Sequence, residues 1–456
     1  MPKTYRDKHI VIIGAGSTGR SLARFFRARG ARVALSDNRP AEQLPNLDEL
    51  QALRVTLDLG GHTPALFAAA DLVVISPGVP LDIPVLQTCR RQGLPVLGEV
   101  EIAWRELAGT MIAITGTNGK STVTTLVGEI LKAWGKKAFV GGNLGTPLVD
   151  AVGKGYDWYA VELSSFQLET IEAFRPNYAV LLNVTEDHLD RYPDMTSYLA
   201  AKARIFENLL DGDVAILNLD DPLVLQAATS TRASKVYYSS QTVLDAGMSL
   251  VDDRILWRWQ DSEVIFPVTE LRLRGRHNQE NVMAALIPLL LEGCPAEVAW
   301  GTVKNFTGLP HRMELLGERH GACWYNDSKG TNIGSVVKSL AGLDKPVVLI
   351  AGGKDKHGDL SSLVVPIGEK VAHLVLIGAA AERMAKVFAG QTDIHRADNM
   401  RDAVQLADRL SCPGGSVLLS PGCSSFDMYR NYEERGADFA AEFSALKQSG
   451  NCRNGN

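Results

Sequence analysis

Short apolar runs of three to five residues, most closed within a few positions by glycine, serine, aspartate or asparagine, recur along the whole chain. They constrain its fold more than any other feature. They fall at residues 9–13, 32–35, 72–75, 111–114, 158–161, 178–182, 214–217, 323–325, 347–350, 373–377 and 416–419. Continuous apolar stretches this short suit strands buried on both faces. Several lead into helical patterns, at 21–29, 121–134 and 194–210. Alternation of strand and helix predicts parallel α/β sheets. With 456 residues the chain is too long for one core, and three blocks separate at 1–98, 99–309 and 310–456.

Composition narrows the function classes. Hydrophobic residues make up 45% and charged residues 22%, as in an ordinary globular protein. The net charge of −5 argues against a nucleic-acid partner, whose footprint is basic. The six cysteines form no C-x-x-C pair, so neither a zinc site nor a redox motif is expected, only reduced and mostly packed thiols. The first residues lack the apolar core of a signal peptide, and no apolar run approaches the ~20 residues needed to span a bilayer. The expected location is the cytoplasm.

The strongest local signal is Ile112-Ala113-Ile114-Thr115-Gly116-Thr117-Asn118-Gly119-Lys120-Ser121-Thr122. A strand meets a glycine turn, then Lys-Ser-Thr, then a helix. Glycines let backbone N–H groups close on phosphate oxygens, and the helix N-terminus adds partial positive charge. Lys120 suits the β/γ-phosphates and Ser121 a Mg²⁺ ion. Ile114 stands where the usual G-x-x-x-x-G-K-[ST] pattern has its first glycine.

A second glycine turn, Gly14-Ala15-Gly16-Ser17-Thr18-Gly19, follows the first strand, and Asp37 ends the next. Taken alone this pattern means NAD or FAD, although the same turn can seat any diphosphate. Ser76-Pro77-Gly78 ends a further strand of that sheet and would line the same crevice.

Three polar features lie elsewhere. Glu162 sits at the C-terminal end of a buried strand, where α/β sheets place ligands, and could join Ser121 in holding Mg²⁺. Residues 183–193 pack Glu186, Asp187, His188, Asp190 and Arg191 into one loop; His188 is a metal ligand, a substrate contact or a structural histidine. In the helix expected at 194–210, Lys202 falls on the apolar stripe of Tyr198, Leu199, Ile205, Phe206 and Leu209, while Arg204 and Glu207 lie on the other face. A lysine there either finds a partner or changed charge, or snorkels to water.

Together these motifs resemble the Mur ligases of bacterial peptidoglycan precursor synthesis. Gly116-Thr117-Asn118-Gly119-Lys120-Ser121-Thr122 matches that family's phosphate loop, including its departure from the usual pattern. The stretches Glu186-Asp187-His188-Leu189-Asp190-Arg191-Tyr192-Pro193, Asn326-Asp327-Ser328-Lys329-Gly330-Thr331-Asn332 and Leu419-Ser420-Pro421-Gly422-Cys423-Ser424-Ser425-Phe426-Asp427 favour the D-glutamate-adding branch. The resemblance covers all three blocks. It implies an N-terminal Rossmann-like domain for the UDP substrate, a central P-loop ATPase-like parallel sheet for ATP, and a C-terminal Rossmann-like domain for the amino acid.

Site roles follow from the resemblance, position by position. Ser17, Thr18, Asp37, Arg39, Ser76, Gly78, Asn143 and Ser164 fall on the UDP-substrate side. Gly116, Thr117, Asn118, Gly119, Lys120, Ser121, Thr122, Asn278, Asn281, His311, Arg312 and Asp327 fall on ATP. Lys329, Thr331, Lys356, Ser425 and Tyr432 fall on the D-glutamate side, Tyr432 replacing the Phe of some relatives. The catalytic set is Lys120, Glu162, His188, Lys202 and Arg312. Two Mg²⁺ ions are implied, one on Ser121 and Glu162, the other on His188 and Lys202, with Lys202 carbamoylated. The implied partners are UDP-N-acetylmuramoyl-L-alanine, D-glutamate and ATP, acting on a monomer, with neither nucleic acid nor a membrane span. The rivals are a sister ligase or a folate polyglutamylating enzyme, an NAD-dependent dehydrogenase, and a non-catalytic nucleotide-binding module.

Overall fold

The apolar runs become the central strands of three sheets. The computed structural model describes residues 5–44, 47–188, 191–273, 275–355 and 359–451. The first sheet holds β1 (His9–Ile13), β2 (Arg32–Asp37), β3 (Thr56–Leu59), β4 (Leu72–Ile75) and β5 (Val96–Gly98), in the order β3-β2-β1-β4-β5. Its four neighbouring pairs are all parallel. Order reverses on either side of β1, so a crevice opens at the carboxyl ends of β1 and β4, where such sheets bind ligands.

The second sheet holds β6 (Thr110–Thr115), β7 (Ala138–Gly142), β8 (Trp158–Glu162), β9 (Tyr178–Leu181), β10 (Val214–Asn218), β11 (Ser234–Ser239), β12 (Gly247–Val251), β13 (Arg254–Trp259) and β14 (Ser262–Pro267). Its order is β14-β13-β12-β11-β10-β9-β6-β8-β7. β6, between β9 and β8, is buried at every position after the first, as its sequence Thr-Met-Ile-Ala-Ile-Thr requires. The third sheet holds β15 (Glu314–Arg319), β16 (Ala322–Asn326), β17 (Val347–Gly352), β18 (Val371–Ile377), β19 (Asp393–Arg396) and β20 (Ser416–Leu419), in the order β15-β16-β20-β17-β18-β19.

Two expectations need correction. The second and third sheets are not purely parallel: β12 pairs β13, and β15 pairs β16, antiparallel. The helix expected over 194–210 is shorter. It runs Met195–Ala203 and then tightens into a 3₁₀ turn, Arg204–Phe206, where the Arg204 guanidinium donates to the carbonyls of Glu169 and Ile171. Its apolar stripe is nonetheless buried at Tyr198, Leu199, Ile205, Phe206 and Leu209.

The chain divides into two compact units. One comprises Met1–Asn183, Leu199–Phe266 and Val282–Val303; the other comprises Val184–Tyr198, Pro267–Asn281 and Lys304–Asn456. Within the first unit, two buried carboxylates on the short helix Glu99–Trp104 tie the first sheet to the second. Glu99 accepts from the Val149 N–H at 2.6 Å. Glu101 accepts from the N–H groups of Glu172, Ala173 and Phe174 at 2.9, 3.0 and 2.9 Å. Cys89, Cys294 and Cys423 are buried thiols, Cys323 is half-buried and Cys412 exposed; none of the five is in a disulfide, while Cys452 lies outside the described residues.

Candidate active site

The turn after β6 is shaped by its glycines. Gly116 has φ 152° and Gly119 φ 86°, and a Cβ on Gly116 would lie 3.0 Å from Leu182 Cβ. Gly119 caps the helix Lys120–Ala133, which places Ser121 and Thr122, both buried, in its first turn. Asn183 braces the turn from the side: its carbonyl accepts from Thr117 N–H at 2.9 Å. Its side chain accepts from Asn118 N–H at 2.9 Å and donates back to Asn118 O at 3.1 Å. Sequence reasoning did not single out Asn183; its only signal was its place just after a buried strand. Lys120 Nζ curls over the turn, donating to Gly116 O at 2.9 Å and Thr117 O at 2.8 Å.

Glu162 and Lys202 meet the same turn. Glu162 ends β8 and is level with Ile114 across the sheet. It is 2% exposed. Asn143 Nδ2 donates to its Oε1 at 2.6 Å, while its buried Oε2 finds no hydrogen-bond partner among the described residues. A buried carboxylate oxygen left unpaired is costly, so this atom is suited to a cation. Lys202 is 1% exposed, which rules out snorkelling, and its Nζ donates to Gly116 O at 2.9 Å. Among the described residues no group of three or more His, Cys, Asp and Glu side chains could hold a metal ion. A Mg²⁺ here would take Glu162, a hydroxyl and substrate phosphate oxygens, a habit of that ion. The residues of the turn fit it.

The crevice of the first sheet opens into a cavity of about 610 Å³. Ser17, Thr18, Asp37, Arg39, Ser76 and Gly78 line it from the first sheet, and Gly142, Asn143 and Gln167 from the second. Gly19 is obligatory beneath it, because a Cβ there would sit 1.8 Å from Gly14 O. Asp37 accepts from Ala15 N–H at 2.8 Å and from Arg39 Nε and Nη2 at 2.9 and 2.8 Å. Burial pushes its carboxyl up, but the Arg39 side chain and the backbone N–H bonds outweigh that and bring it to about 2. Ser164 forms a capping box with Gln167 at the helix Ser165–Leu168. The side chain it fixes, Gln167, lines the cavity and was not anticipated; nor was His62, which also lines it and bonds Ser36 Oγ at 2.7 Å.

The second unit gathers the remaining candidates. His188 has φ 56°, an uncommon backbone for a non-glycine residue. Its N–H bonds Asp187 Oδ1 at 2.9 Å, and Asp187 Oδ2 accepts from Asn332 Nδ2 at 3.0 Å. Glu186, Asp187 and His188 line one small cavity with Thr331, Asn332, Asp355, Arg383 and Cys423. Arg383 Nη1 bonds Asp355 Oδ2 at 2.6 Å. His311 (φ 62°) and Met313 (φ 45°) flank Arg312. Asp327 holds this turn through Met313 N–H at 3.3 Å, and accepts from the Ser339 and Ser420 hydroxyls, each at 2.8 Å. Burial pushes its carboxyl up to about 6 despite those bonds and the nearby Arg312 charge. Asn278 and Asn281 are buried, with Asn281 Nδ2 donating to Asn278 Oδ1 at 3.3 Å. Lys329 lies over the Tyr432 ring, and Ser425 is buried. Lys356 lies outside the described residues.

Comparison with known proteins decides the family. Profiles described as "Mur ligase MurD-like, N-terminal domain", "Mur ligase middle domain" and "Mur ligase, glutamate ligase domain" match residues 8–98, 114–289 and 311–423. The chain belongs to the Mur ligase family. A relative from Syntrophotalea carbinolica named UDP-N-acetylmuramoylalanine–D-glutamate ligase is 56% identical over 98% of this chain and 99% of its own. One of the same name from Geotalea uraniireducens is 51% identical over 95% and 96%. Solved Mur ligases share the fold at low identity. The MurF ligase of Thermotoga maritima matches at TM-score 0.61 and 15% identity over 98% of each chain. The UDP-N-acetylmuramate-alanine ligase of the same organism matches at 0.59 and 18%, over 96% of this chain and 100% of its own. Mur ligases use ATP and Mg²⁺. No described helix of this one is long and apolar enough to cross a membrane.

Proposed function

We propose that this Mur ligase joins the L-alanyl carboxylate of UDP-N-acetylmuramoyl-L-alanine to the amine of D-glutamate, forming ADP and phosphate in peptidoglycan precursor synthesis. The observation that carries the reading is identity to D-glutamate ligases along almost the whole chain. Residues 1–98 take the UDP substrate, 99–309 ATP and 310–456 the amino acid, in a cytoplasmic monomer.

The reaction has two steps. A carboxylate oxygen of the alanyl group attacks the γ-phosphorus, and the bond to the β-phosphate oxygen breaks to release ADP. The D-glutamate amine then attacks the acyl carbon, loses a proton and expels phosphate. Lys120, curled over the turn, follows the β/γ-phosphates and with Arg312 offsets their charge. Gly116, Thr117, Asn118, Gly119 and Thr122 supply the backbone cradle. Asn278, Asn281 and His311 serve the adenosine side. Asp327 already takes three hydrogen bonds from the chain; a carboxylate offers about four acceptor positions, leaving one for a ribose hydroxyl.

Mg²⁺, when bound, neutralises phosphate charge and polarises the phosphoryl oxygens. Ser121 and Glu162 would hold one ion, a reading supported by the unpaired Glu162 Oε2. His188 and a carbamate on Lys202 would hold the second; the burial of Lys202 supports the carbamate. Carbamoylation forms a bond from Nζ to the carbon of CO₂ with loss of two protons from the ammonium, and turns a cation into an oxygen ligand. Ser17, Thr18, Asp37, Arg39, Ser76, Gly78, Asn143 and Ser164 serve the UDP substrate; Lys329, Thr331, Lys356, Ser425 and Tyr432 serve D-glutamate.

The test is phosphate release with all three substrates, omitting each in turn. Full turnover only when UDP-N-acetylmuramoyl-L-alanine, ATP and D-glutamate are together is the expected result. Turnover with another amino acid in place of D-glutamate, and none with D-glutamate, would assign the chain to a sister ligase.

A further inference from the structure

His62 lines the cavity of the first sheet beside Asn38 and Arg39, and the assigned reaction gives it no role. The loop that carries it is laid over the carboxyl end of β2: Gly60 N–H donates to Asp37 O and Arg39 O, both at 3.0 Å. In such a crevice the phosphates take the helix N-terminus after β1, so the nucleoside extends across β2 toward β3, where this loop lies.

The chain fixes which ring nitrogen of His62 can accept. Nδ1 lies 2.7 Å from Ser36 Oγ. That buried hydroxyl has one proton, and it goes to an oxygen that can only accept, Asp58 Oδ2 at 2.8 Å or Gly61 O at 3.2 Å. Desolvation pushes the Asp58 carboxyl up, but the bonds from Thr63 and Ser36 outweigh it and hold it below its ordinary value, so it stays an acceptor. Ser36 Oγ therefore accepts from Nδ1–H, and the neutral ring keeps its lone pair on Nε2. Nε2 meets no hydrogen-bond partner among the described residues. The neighbouring side chains offer no such set acceptor. Asp37 Oδ1 takes Arg39 N–H and Nε, each at 2.9 Å, and Oδ2 takes Ala15 N–H and Arg39 Nη2, each at 2.8 Å. Those bonds fill the about four acceptor positions of a carboxylate. Arg39 can only donate, and Asn38 is exposed, with an amide that can present either its oxygen or its nitrogen.

We propose that His62 is a specificity-determining residue for the nucleotide substrate: its Nε2 accepts a hydrogen bond from N3–H of the uracil ring. Uracil carries a donor at N3, where cytosine carries a lone pair, so a set acceptor here favours a uridine over a cytidine. The inference rests on the proposed assignment of this cavity to the UDP substrate.

The test is calorimetric titration of the full chain with UDP, CDP and N3-methyl-UDP. The native protein is expected to bind UDP about tenfold more tightly than either analogue, the loss of one hydrogen bond with its partner left unpaired. His62→Ala and His62→Phe, the second keeping a ring against Phe67 but no acceptor, should each bring UDP and CDP to within about twofold of one another. Thermal midpoints are measured alongside, and if one variant is destabilised the other carries the test. A preference for UDP over CDP that persists in the folded variants overturns the proposal. So does a native protein that binds either analogue as tightly as UDP. If UDP neither binds the native protein nor competes with UDP-N-acetylmuramoyl-L-alanine in turnover, the assignment of the cavity fails instead, and the proposal goes with it.

Discussion

Lys202 carries a charge that its buried environment does not suit. An ammonium at 1% exposure, donating to a phosphate-loop carbonyl, occupies a place where a cation would compete with Mg²⁺. Conversion to a carbamate removes that conflict. Lys202→Ala is therefore expected to lose at least a hundredfold in kcat and to recover part of it when short carboxylic acids are added. Native turnover in that variant would remove the carbamate. With Ser425 proposed for the amino-acid side, Ser425→Ala should raise KM for D-glutamate several-fold while leaving KM for ATP near native; equal effects on both would misplace it. The sequence made Lys202 legible because its stripe was regular. Asn183 was not legible, since its role depends on a turn 65 residues away.

At the scale of elements, strands buried on both faces announce themselves and half-exposed strands do not. β17 is buried at all positions and β8 likewise, and both were readable. β3, β15 and β19 have partly exposed patterns and lack the unbroken apolar run that was sought. The Arg254–Trp259 strand does hold a short buried apolar run, Ile255-Leu256-Trp257, but such a run does not reveal strand direction, so its antiparallel pairing was not legible. Two elements carry sharp expectations. A Cβ at Gly19 would meet a backbone oxygen, so Gly19→Ala should lower stability by about 2 kcal/mol or more and weaken UDP-substrate binding, both measurable by thermal shift with and without UDP. Glu99, on the helix joining the first two sheets, is pushed up to about 7, mainly by burial. A carboxyl raised in the folded state stabilises fully below its unfolded value near 4.5 and loses that stability as pH climbs through about 7. Glu99→Gln should thus gain on the native protein between about pH 5 and 8, by up to about 3 kcal/mol at ~1.4 kcal/mol per unit. A gap between the two proteins that stays constant with pH would contradict the burial of a titrating Glu99.

At the scale of the whole molecule, one reaction is assigned to a chain of three sheets, and the phosphate loop commits it to ATP. Lys120→Ala should abolish ADP formation without changing the far-ultraviolet circular dichroism, whereas normal turnover would displace the loop from the chemistry. The glycine turn of the first sheet reads as a dinucleotide site when taken alone; only the motifs of the other two blocks turn that reading toward a UDP substrate. The central claim is that the alanyl carboxylate becomes an acyl-phosphate, and an isotope reports on it directly. With UDP-N-acetylmuramoyl-L-alanine carrying ¹⁸O in that carboxylate, single-turnover product phosphate should contain one ¹⁸O, transferred when the acyl–oxygen bond breaks. Phosphate free of ¹⁸O, with the displaced label recovered elsewhere, would contradict it.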